Sequence, residues 1–378
     1  MPSVPSTQLF PDVVDASTLI AKPSSPIYLP IGVEGQMDAA GTATVGTQYQ
    51  ISTMSDASSF FGPASSLARI INAVIRQGAF PVIAVASAKG TTPTLIQRQG
   101  VWDDLSSSEI VRLRLTDSLV QSDLVALATS CTQAELLNHK QVGFGGMAQG
   151  TTKAALITAA AAIASNRFVL VGPGVYDQDG VLRDGNYAAA VVAAEVAKNA
   201  DLSNDLDLWD LNLLAGIELT AAGFPLLRYK VSGGVATNDF EDLLQGGVSP
   251  LSPSRTGTGV QTTHLRTTYT TNTTYDALGT RLIVDQVFID VKNYCLESGF
   301  LRKGNTQANR NALGAAVNAL LVERKGWISP ITQADGTQGY NIQVVSSADQ
   351  RQVTVSYEGR VVRGIQTIQV SAQLTIST

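Results

Sequence analysis

The chain contains few of the residues on which catalytic and metal sites depend. Its 378 residues include two cysteines, Cys131 and Cys295, and two histidines, His139 and His264. Two cysteines this far apart cannot supply a disulfide framework, so we predict buried thiols in a reducing compartment. Zinc sites normally use several His or Cys ligands at short spacing, and a serine hydrolase presents its nucleophile in a G-x-S-x-G turn. Neither pattern is present, so we predict no metal, no cofactor and no enzymatic activity. A Cys131–His139 pair of nucleophile and base is the alternative that stays open.

Charged residues are also scarce. They make up 15% of the chain, against about 25% in typical soluble domains, and Ala, Gly, Ser and Thr take their place. The net charge of −5 argues against a nucleic-acid binder, which would present a basic face. A surface this poor in charge favours a subunit that other subunits largely cover. A neutral monomer is the alternative.

Long apolar runs are missing as well. No segment approaches the ~18 apolar residues that a membrane-spanning helix needs. The most apolar run, AALITAAAAIA at 154–164, is short and alanine-rich and predicts a buried helix. The first six residues, MPSVPS, have neither the positive charge nor the apolar core of a signal peptide. We therefore expect no signal peptide and no insertion into a membrane.

What the chain does contain is an alternation of strand and helix patterns between residues 27 and 199. The clearest helix pattern has apolar side chains at i, i+3 and i+4 spacing: Leu67, Ile70, Ile71, Val74 and Ile75. We also predict strands over 27–35, 80–88, 122–130 and 167–174, and helices over 151–165 and 186–199. Alternating strands and helices with short connections indicate an α/β sheet covered by helices on both faces.

Two segments of this part invite a chemical interpretation. GFGGMAQGTTK at 143–153 has the outer glycine spacing of a phosphate-binding loop, but Lys153 follows two residues later than such a loop requires. We interpret it as a flexible connection into a helix, with a nucleotide-dependent α/β enzyme as a distant alternative. YDQDGVLRDG at 176–185 is acidic like a calcium loop but lacks the glycine and glutamate that an EF-hand needs at its sixth and twelfth positions. A β-turn at Asp179–Gly180 is the simpler explanation.

After residue 250 the pattern becomes α+β. We predict a strand within 259–269, a helix over 281–300, and a second helix that Asn305 caps and Gly326 ends. Short strands follow at 341–345, 352–357 and 365–376. The last of these, in IQVSAQLTIST, alternates apolar and polar residues, which is typical of a strand with one buried face.

The N-terminal segment has a different character. Residues 1–26 hold five prolines, which lack an amide donor and fix φ, so we predict an extended arm rather than a packed element. Only DVVDASTLI at 12–20 has the pattern of a short strand.

The order of these segments resembles that of the tail sheath proteins of contractile bacteriophages. DASSFFGPASSLARIINAVIRQGAFPVIAVA at 56–86 resembles the first α/β unit of that family, and YAAAVVAAEVAKNADLSNDLDLWDLNLLAGI at 187–217 resembles its central stretch. The most specific part is EDLLQGGVSPL at 241–251 followed by HLRTTYTTNTTYD at 264–276, which looks like the branch related to Mu-type phages. The helix pair 281–325 and the final strands fit the C-terminal domain of the family.

The resemblance implies an α/β body over 27–250, of the topology sometimes called subtilisin-like but non-catalytic, with a small outer insertion near 88–121. It further implies an extended N-terminal arm over 1–26, an α+β inner domain over 251–364 and a C-terminal arm strand over 365–378. By this resemblance, the subunits are expected to polymerise as stacked hexameric rings around a tail tube, between baseplate and tail terminator proteins, and to be assembled in the host cytoplasm into the virion. Contraction drives the tube through the host envelope without cofactor or hydrolysis. The sheath of a bacteriocin or other injection particle is the alternative, and a type VI sheath fits less well because it divides the role between two chains.

The resemblance also assigns roles to particular residues. The two arms are expected to join neighbouring subunits by strand addition: their apolar residues are Val13, Val14, Leu19, Ile20, Ile368, Val370, Ala372, Leu374 and Ile376. The alternative for the C-terminal strand is a hairpin with 352–357 of the same chain, turning near Glu358–Gly359. Basic side chains around the helix pair are candidates to face the tube: Arg302, Lys303, Arg310, Arg324 and Lys325.

Overall fold

The structure is a computed structural model, and two compact units make up the chain. It describes residues 28–198, 209–218, 230–232, 235–237, 239–254, 259–271, 277–297, 305–333, 336–346 and 353–361. We call the described residues between 28 and 281 the body and those between 282 and 361 the C-terminal unit. Both predicted arms, and with them all nine apolar arm residues, lie outside the described residues. The same holds for Arg302 and Lys303.

The strands of the body come first in the chain. They are β1 (Ile31–Met37), β2 (Gln48–Ile51), β3 (Val82–Lys89), β4 (Leu113–Thr116), β5 (Val142–Gly146), β6 (Phe168–Gly172), β7 (Val175–Asp177), β8 (Leu182–Arg183), β9 (Asp210–Leu211), β10 (Leu214–Ile217), β11 (Lys230–Ser232), β12 (Val235–Thr237), β13 (Val248–Pro253) and β14 (Val260–Thr262). The helices between them are α1 (Met54–Phe61), α2 (Ser66–Arg76), α3 (Leu95–Ser106), α4 (Gln121–Leu136), α5 (Lys153–Ile163), α6 (Gly185–Lys198) and α7 (Asp239–Gln245).

Nine of these strands form one sheet in the order β2-β3-β1-β4-β5-β6-β13-β14-β9. The six strands from β3 to β13 run parallel, and β2, β14 and β9 add antiparallel edges. The strands β5 and β6 are buried along their whole length. A parallel-dominated sheet with buried strands agrees with the predicted α/β class, because such sheets need a cover on both faces.

The helices cover the two faces because the chain changes direction across the sheet. From β1 it crosses through α2 to β3 on one side, and it then returns through α3 to β4 on the other side of β1. Since parallel crossovers are right-handed, connections in opposite directions put their helices on opposite faces. Accordingly α2 packs with α6, whereas α3, α4 and α5 pack side by side as a second layer.

Two predictions for this region are wrong. Residues 122–130 lie in α4 rather than in a strand, and the buried face of α4 repeats at helical spacing through Leu124, Leu127, Ala128 and Cys131. The glycine-rich segment begins as the buried strand β5, not as a loop. A side chain at Gly146 would meet the backbone carbonyl carbon of Gly185 at 2.0 Å, so glycine is needed there for the close contact between β5 and α6.

The expected domain boundaries also differ from the observed units. Residues 88–121, the expected outer insertion, contain α3 and β4, and β4 pairs between β1 and β5 in the centre of the sheet. The body extends to residue 281 rather than to 250, because β13 and β14 join the large sheet. Of the strand expected within 259–269, only β14 forms.

The C-terminal unit contains two long helices and short strands. These are α8 (Leu278–Glu297, which starts in the last residues of the body), α9 (Gln307–Glu323), β15 (Ile328–Ser329), β16 (Ile331–Thr332), β17 (Gln338–Gly339), β18 (Gln343–Ser346), β19 (Val353–Ser356) and β20 (Arg360–Val361). The two predicted helices and the strands near 341–345 and 352–357 are thereby confirmed. The N-terminal cap of α9 is Thr306 rather than Asn305, because the Thr306 hydroxyl accepts a hydrogen bond from the amide of Asn309. The helix ends at Glu323, and its C-terminal cap is Arg324, two residues before Gly326.

Candidate functional site

An ionic cluster lies where the parallel strands of the body change direction. In open α/β sheets the crevice outside the carboxyl ends of the strands, at the point where the strand order reverses, is the usual ligand site. Here that point lies between β1 and β4, where Glu34 of β1 is in register with Thr116 of β4. Asp117 follows directly, and Arg98 of α3 reaches the same place.

Arg98 is the central group of this ionic cluster. Its Nη1 donates to Glu34 Oε1 at 2.7 Å and to Asp117 Oδ1 at 2.7 Å, and its Nε lies 3.2 Å from Asp123 Oδ2 without hydrogen-bond geometry. Hydroxyl groups complete the shell: Ser87 and Thr116 donate to Glu34, and Ser66 donates to Asp117. The cluster therefore ties together β1, β3, β4 and the helices α2, α3 and α4.

The electrostatics of the cluster are unbalanced, since three carboxyl groups face one guanidinium. Glu34 is 0% exposed and Arg98 3% exposed. Burial, followed by the neighbouring Asp117, raises the pKa of Glu34, and Arg98 only partly opposes this. Burial lowers the pKa of Arg98, but the charges of Glu34 and Asp117 outweigh it and raise that pKa. Glu34 is therefore protonated more easily than an exposed glutamate.

The chain's own guanidinium fills the crevice, so the arrangement is suited to holding the fold rather than to binding a substrate. No group of His, Cys, Asp and Glu side chains suitable for a metal ion occurs among the described residues. The sequence analysis missed this cluster. Glu34 was the available signal in the sequence, because it is the one charged residue of the strand IGVEGQM, and buried charges need partners.

The loop between β5 and α5 has the topology of a phosphate-binding loop, yet the backbone amides and the lysine that could bind a phosphate already contact carboxylates of this chain. The amide of Gly150 donates to the Glu218 carboxylate at 2.9 Å, and the amide of Gln149 donates to Asp184 at 3.0 Å. Lys153 pairs with Asp239 at 2.7 Å and with Asp242. A phosphate would have to displace four carboxylates, which weighs against the nucleotide-enzyme alternative.

The acidic segment 176–185 is a hairpin. β7 pairs with β8, and Asp177 accepts the amides of Asp179 and Val181 and the Arg183 side chain across the turn. Gly180 has φ +73°, which favours glycine. The predicted β-turn is confirmed.

The Cys131–His139 alternative finds no support in the geometry. Cys131 lies on the core-facing side of α4 and is fully buried. Burial raises the pKa of its thiol despite the nearby Arg114. His139 Nδ1 lies 2.9 Å from the carbonyl oxygen of Ser106 instead. A buried thiol with a raised pKa is a poor nucleophile.

The three basic candidates that the structure describes do not form one patch. Arg310 lies in the first turn of α9 and donates to Asn305 and Gln307. Arg324 follows the last turn, where it pairs with Asp290 at 2.7 Å and lies over the Trp327 ring. Fourteen helical residues span about 20 Å, so the two arginines lie at opposite ends of the helix. Lys325 is exposed beside Arg324.

The strands β18 and β19 form a hairpin sheet of two strands in the C-terminal unit. Within the part of the chain that the structure describes, neither of its outer edges has a strand partner. One face packs on α9, where Val344 lies beside Gly314, and Val345 on the other face is exposed. After the Glu358–Gly359 step, Arg360–Val361 pair with Ile328–Ser329 rather than with β19. The strand of the alternative hairpin, expected over 365–376, lies outside the described residues.

None of the helices in the described ranges is long and apolar enough to span a bilayer.

Known structures share this fold. A chain of the anti-feeding prophage baseplate matches with a TM-score of 0.67 at 13% identity, over 100% of both chains. A chain of the helical sheath of that prophage in its contracted state matches with a TM-score of 0.66 at 13% identity, over 99% of both chains. The sheath tail protein of Desulfitobacterium hafniense matches with a TM-score of 0.62 at 11% identity, over 91% of this chain and 99% of that one. Sequence comparison with models of protein families and with curated proteins finds no match. The chain thus has the fold of tail sheath proteins.

Proposed function

We propose that this chain is a structural subunit of a contractile tail sheath. The observation that carries the proposal is the fold match over 100% and 99% of the chain to proteins of a baseplate and of a contracted helical sheath. The switch-point crevice filled by Arg98 and the phosphate-loop amides bound to carboxylates support a structural rather than an enzymatic role. In this proposal subunits polymerise as stacked rings, hexameric by family resemblance, around a tube, and contraction drives that tube through the host envelope.

The particle is proposed to be the tail of a bacteriophage of the Mu-related branch, assembled in the host cytoplasm and carried in the virion. The sheath of an injection particle is the second candidate, because two of the matched chains come from the anti-feeding prophage. Both candidates share the same mechanics, with tube, baseplate and tail terminator proteins as partners. The body is proposed to keep the subtilisin-like, non-catalytic topology of the sheath family, with the C-terminal unit as its inner domain.

Among the described residues the outer edges of the β18–β19 sheet have no strand partner, which supports the proposed role of the arms. An isolated two-stranded sheet is marginal in water, and an added strand would satisfy main-chain groups along each edge. We propose that the arm strands over 12–20 and 365–378 add to such edges of neighbouring subunits. Rigid units joined by extended arms can rotate during contraction while the lattice stays connected. The basic residues Arg302, Lys303, Arg310, Arg324 and Lys325 stay proposed tube contacts.

Negative-stain microscopy of the purified protein tests the function directly. We expect hollow tubes or stacked rings, and discrete particles that bind nucleotide would contradict the proposal. Deletion of residues 365–378 tests the arm. The truncated protein should keep the circular dichroism of the full chain and lose polymerisation; stable tubes without these residues would contradict strand exchange.

A further inference from the structure

The Arg98 cluster contains more buried carboxyl groups than a single guanidinium can neutralise. Glu34, Asp117 and Asp123 are all buried, and their carboxyl oxygens lie 2.7 Å, 2.7 Å and 3.2 Å from nitrogens of Arg98. The Arg98 Nε, which faces Asp123, is buried and makes no hydrogen bond. A buried charge without full compensation is costly, and a carboxyl group in that position binds a proton instead. The geometry of the cluster therefore favours a bound proton.

A second buried guanidinium, that of Arg114, lies in the same layer between the sheet and the helices. Thr116 of β4 is in register with Glu34 of β1, and Arg114, two residues before Thr116, points to the same face of the sheet. Arg114 is fully buried. Its side chain donates to neutral groups of α3 and α4, which are the Trp102 carbonyl oxygen at 3.0 Å and Ser130 Oγ at 2.9 Å.

The positive and negative charges of this layer differ by one. Arginine keeps its charge in proteins, so Arg98 and Arg114 supply two positive charges against the three carboxyl groups. Cys131 and Asp103 also act on Arg114. Burial raises the pKa of the Cys131 thiol, which therefore stays neutral, and Asp103 is exposed to solvent. One proton on one of the three carboxyl groups would balance the layer.

The contacts of Ser87 indicate where such a proton fits. Ser87 Oγ lies 2.5 Å from Glu34 Oε1 and 3.2 Å from the carbonyl oxygen of Gly35. A hydroxyl group has one hydrogen, so Ser87 cannot donate to both oxygens at once. While Glu34 is ionised, Ser87 donates to Glu34 and leaves Gly35. A protonated Glu34 instead donates to Ser87 Oγ, and the hydrogen of Ser87 turns to the Gly35 carbonyl, so that both short contacts become hydrogen bonds.

Asp117 and Asp123 are less suited to hold this proton. A backbone amide, that of Gln36, donates to Asp117 Oδ2 at 2.7 Å, and amide hydrogen bonds favour the ionised form of a carboxyl group. The Asp123 side chain is 11% exposed against 0% for that of Glu34, so Asp123 loses less of its hydration. Burial, followed by the neighbouring Asp117, raises the pKa of Glu34. Hydrogen bonding and burial therefore both favour Glu34 as the position of the proton.

We propose that the Arg98 cluster makes the stability of the body depend on pH by holding one proton between Glu34 Oε1 and Ser87 Oγ. The proton comes from the solvent and returns to it as the pH rises, and no bond between heavier atoms changes. A carboxyl group that holds its proton more firmly in the folded chain stabilises the fold below the ordinary glutamate pKa of 4.5. This contribution is lost as the pH rises through the folded-state pKa. The inference concerns the fold of one subunit and does not depend on the proposed sheath function.

Glu34→Gln tests the proposal in the full-length protein, because the amide has nearly the shape of the protonated carboxyl group and donates a hydrogen at every pH. Asp104→Asn, a carboxylate-to-amide change at an exposed position of α3, is the matched control. In urea unfolding followed by circular dichroism, the midpoint of Glu34→Gln relative to wild type should rise by roughly 0.5 M or more between pH 5 and pH 8. The midpoint of Asp104→Asn should follow that of the wild type. A relative midpoint of Glu34→Gln that falls or stays constant would overturn the proposal.

Infrared spectroscopy gives a second readout that observes the proton itself. A protonated carboxyl group has a C=O stretching band at higher frequency than a carboxylate. As the pH of the wild-type protein rises, we expect this band to fade in two steps, first for the exposed carboxyl groups and then for Glu34. The second step should be missing from Glu34→Gln and present in Asp104→Asn. A wild-type band that fades in one step would overturn the proposal even if Glu34→Gln failed to fold, and a second step that survives in Glu34→Gln would overturn the assignment to Glu34.

Discussion

Removing Arg98 should destabilise the body more than removing an exposed arginine. Arg98→Met keeps the length and the apolar stem of the side chain but leaves Glu34, Asp117 and Asp123 without their central cation. Breaking a buried ion pair by deleting one partner costs about 3–5 kcal/mol, because the remaining charge stays buried. At about 2–4 °C per kcal/mol for a unit of this size, the melting temperature should fall by about 10 °C. Arg69→Met, at an exposed position of α2, is the matched control and should change stability by less than about 0.5 kcal/mol.

The pH dependence of this loss has a definite sign. Burial already raises the pKa of Glu34, and Arg98 is a group that lowers it, so the substitution should raise it further. A carboxyl group whose pKa is raised in the folded state stabilises the fold at low pH, and that contribution is lost as the pH rises through the folded-state pKa. The difference between Arg98→Met and wild type should therefore shrink as the pH falls from 7 towards the ordinary glutamate pKa of 4.5.

Urea unfolding followed by circular dichroism at several pH values measures both effects. Adding Glu34→Gln to Arg98→Met removes one of the three carboxylates and should recover part of the lost free energy. An Arg98→Met midpoint equal to that of the wild type at pH 7 would refute the reasoning. A deficit that grows on acidification would refute the assigned sign.

Further predictions concern the packing, a surface ion network and the thiols. Burial raises the pKa of Glu135, but Arg167 and Lys140 outweigh burial and lower that pKa overall. Glu135→Gln should therefore lower the melting temperature at pH 7, and the difference from wild type should disappear as the pH falls below about 4.5. A difference that stays constant with pH would contradict the ion network. Gly146→Ala should destabilise the body by several kcal/mol because its Cβ would overlap the backbone of Gly185, whereas Gly100→Ala in α3, with open space around it, should be neutral or stabilise by about 0.5–1 kcal/mol in thermal melts. Burial raises the pKa of Cys295 to about 12, so the native protein at pH 8 should resist alkylation that proceeds readily in urea, and rapid native labelling would contradict the burial.

The sequence pattern correctly predicted those helices and strands whose apolar spacing or capping residues lie within one short segment. α2, α5, α6, α8 and α9 follow apolar spacing and caps, and β3 and β6 follow short apolar runs. The pattern failed for α4, since SDLVALATS contains apolar residues that fit either period over so few positions. A longer window reaching Cys131 and Ala134 favours the helix, whose buried face continues at the same spacing.

For the proposed assembly sites, too, the sequence predicts one part and the tertiary structure supplies the other. The alternating residues at 365–376 predict a strand from the sequence alone, and the scarcity of charge predicts a covered surface. Where that covered surface lies depends on the tertiary structure, because only the folded chain determines which side chains of α4 and α5 face the solvent.

The sequence by itself determined the α/β class, most of the helices and the scarcity of histidine and cysteine, because composition and periodicity can be read without the tertiary structure. The tertiary structure alone decided the strand order, the partners of Glu34 and the occupation of the phosphate-like loop. Arg98 lies 64 residues from Glu34, and Glu218 lies 68 residues from Gly150. The contact between Arg98 and Glu34 depends on the crossover that returns β4 to the side of β1, and no segment of the sequence specifies that crossover on its own.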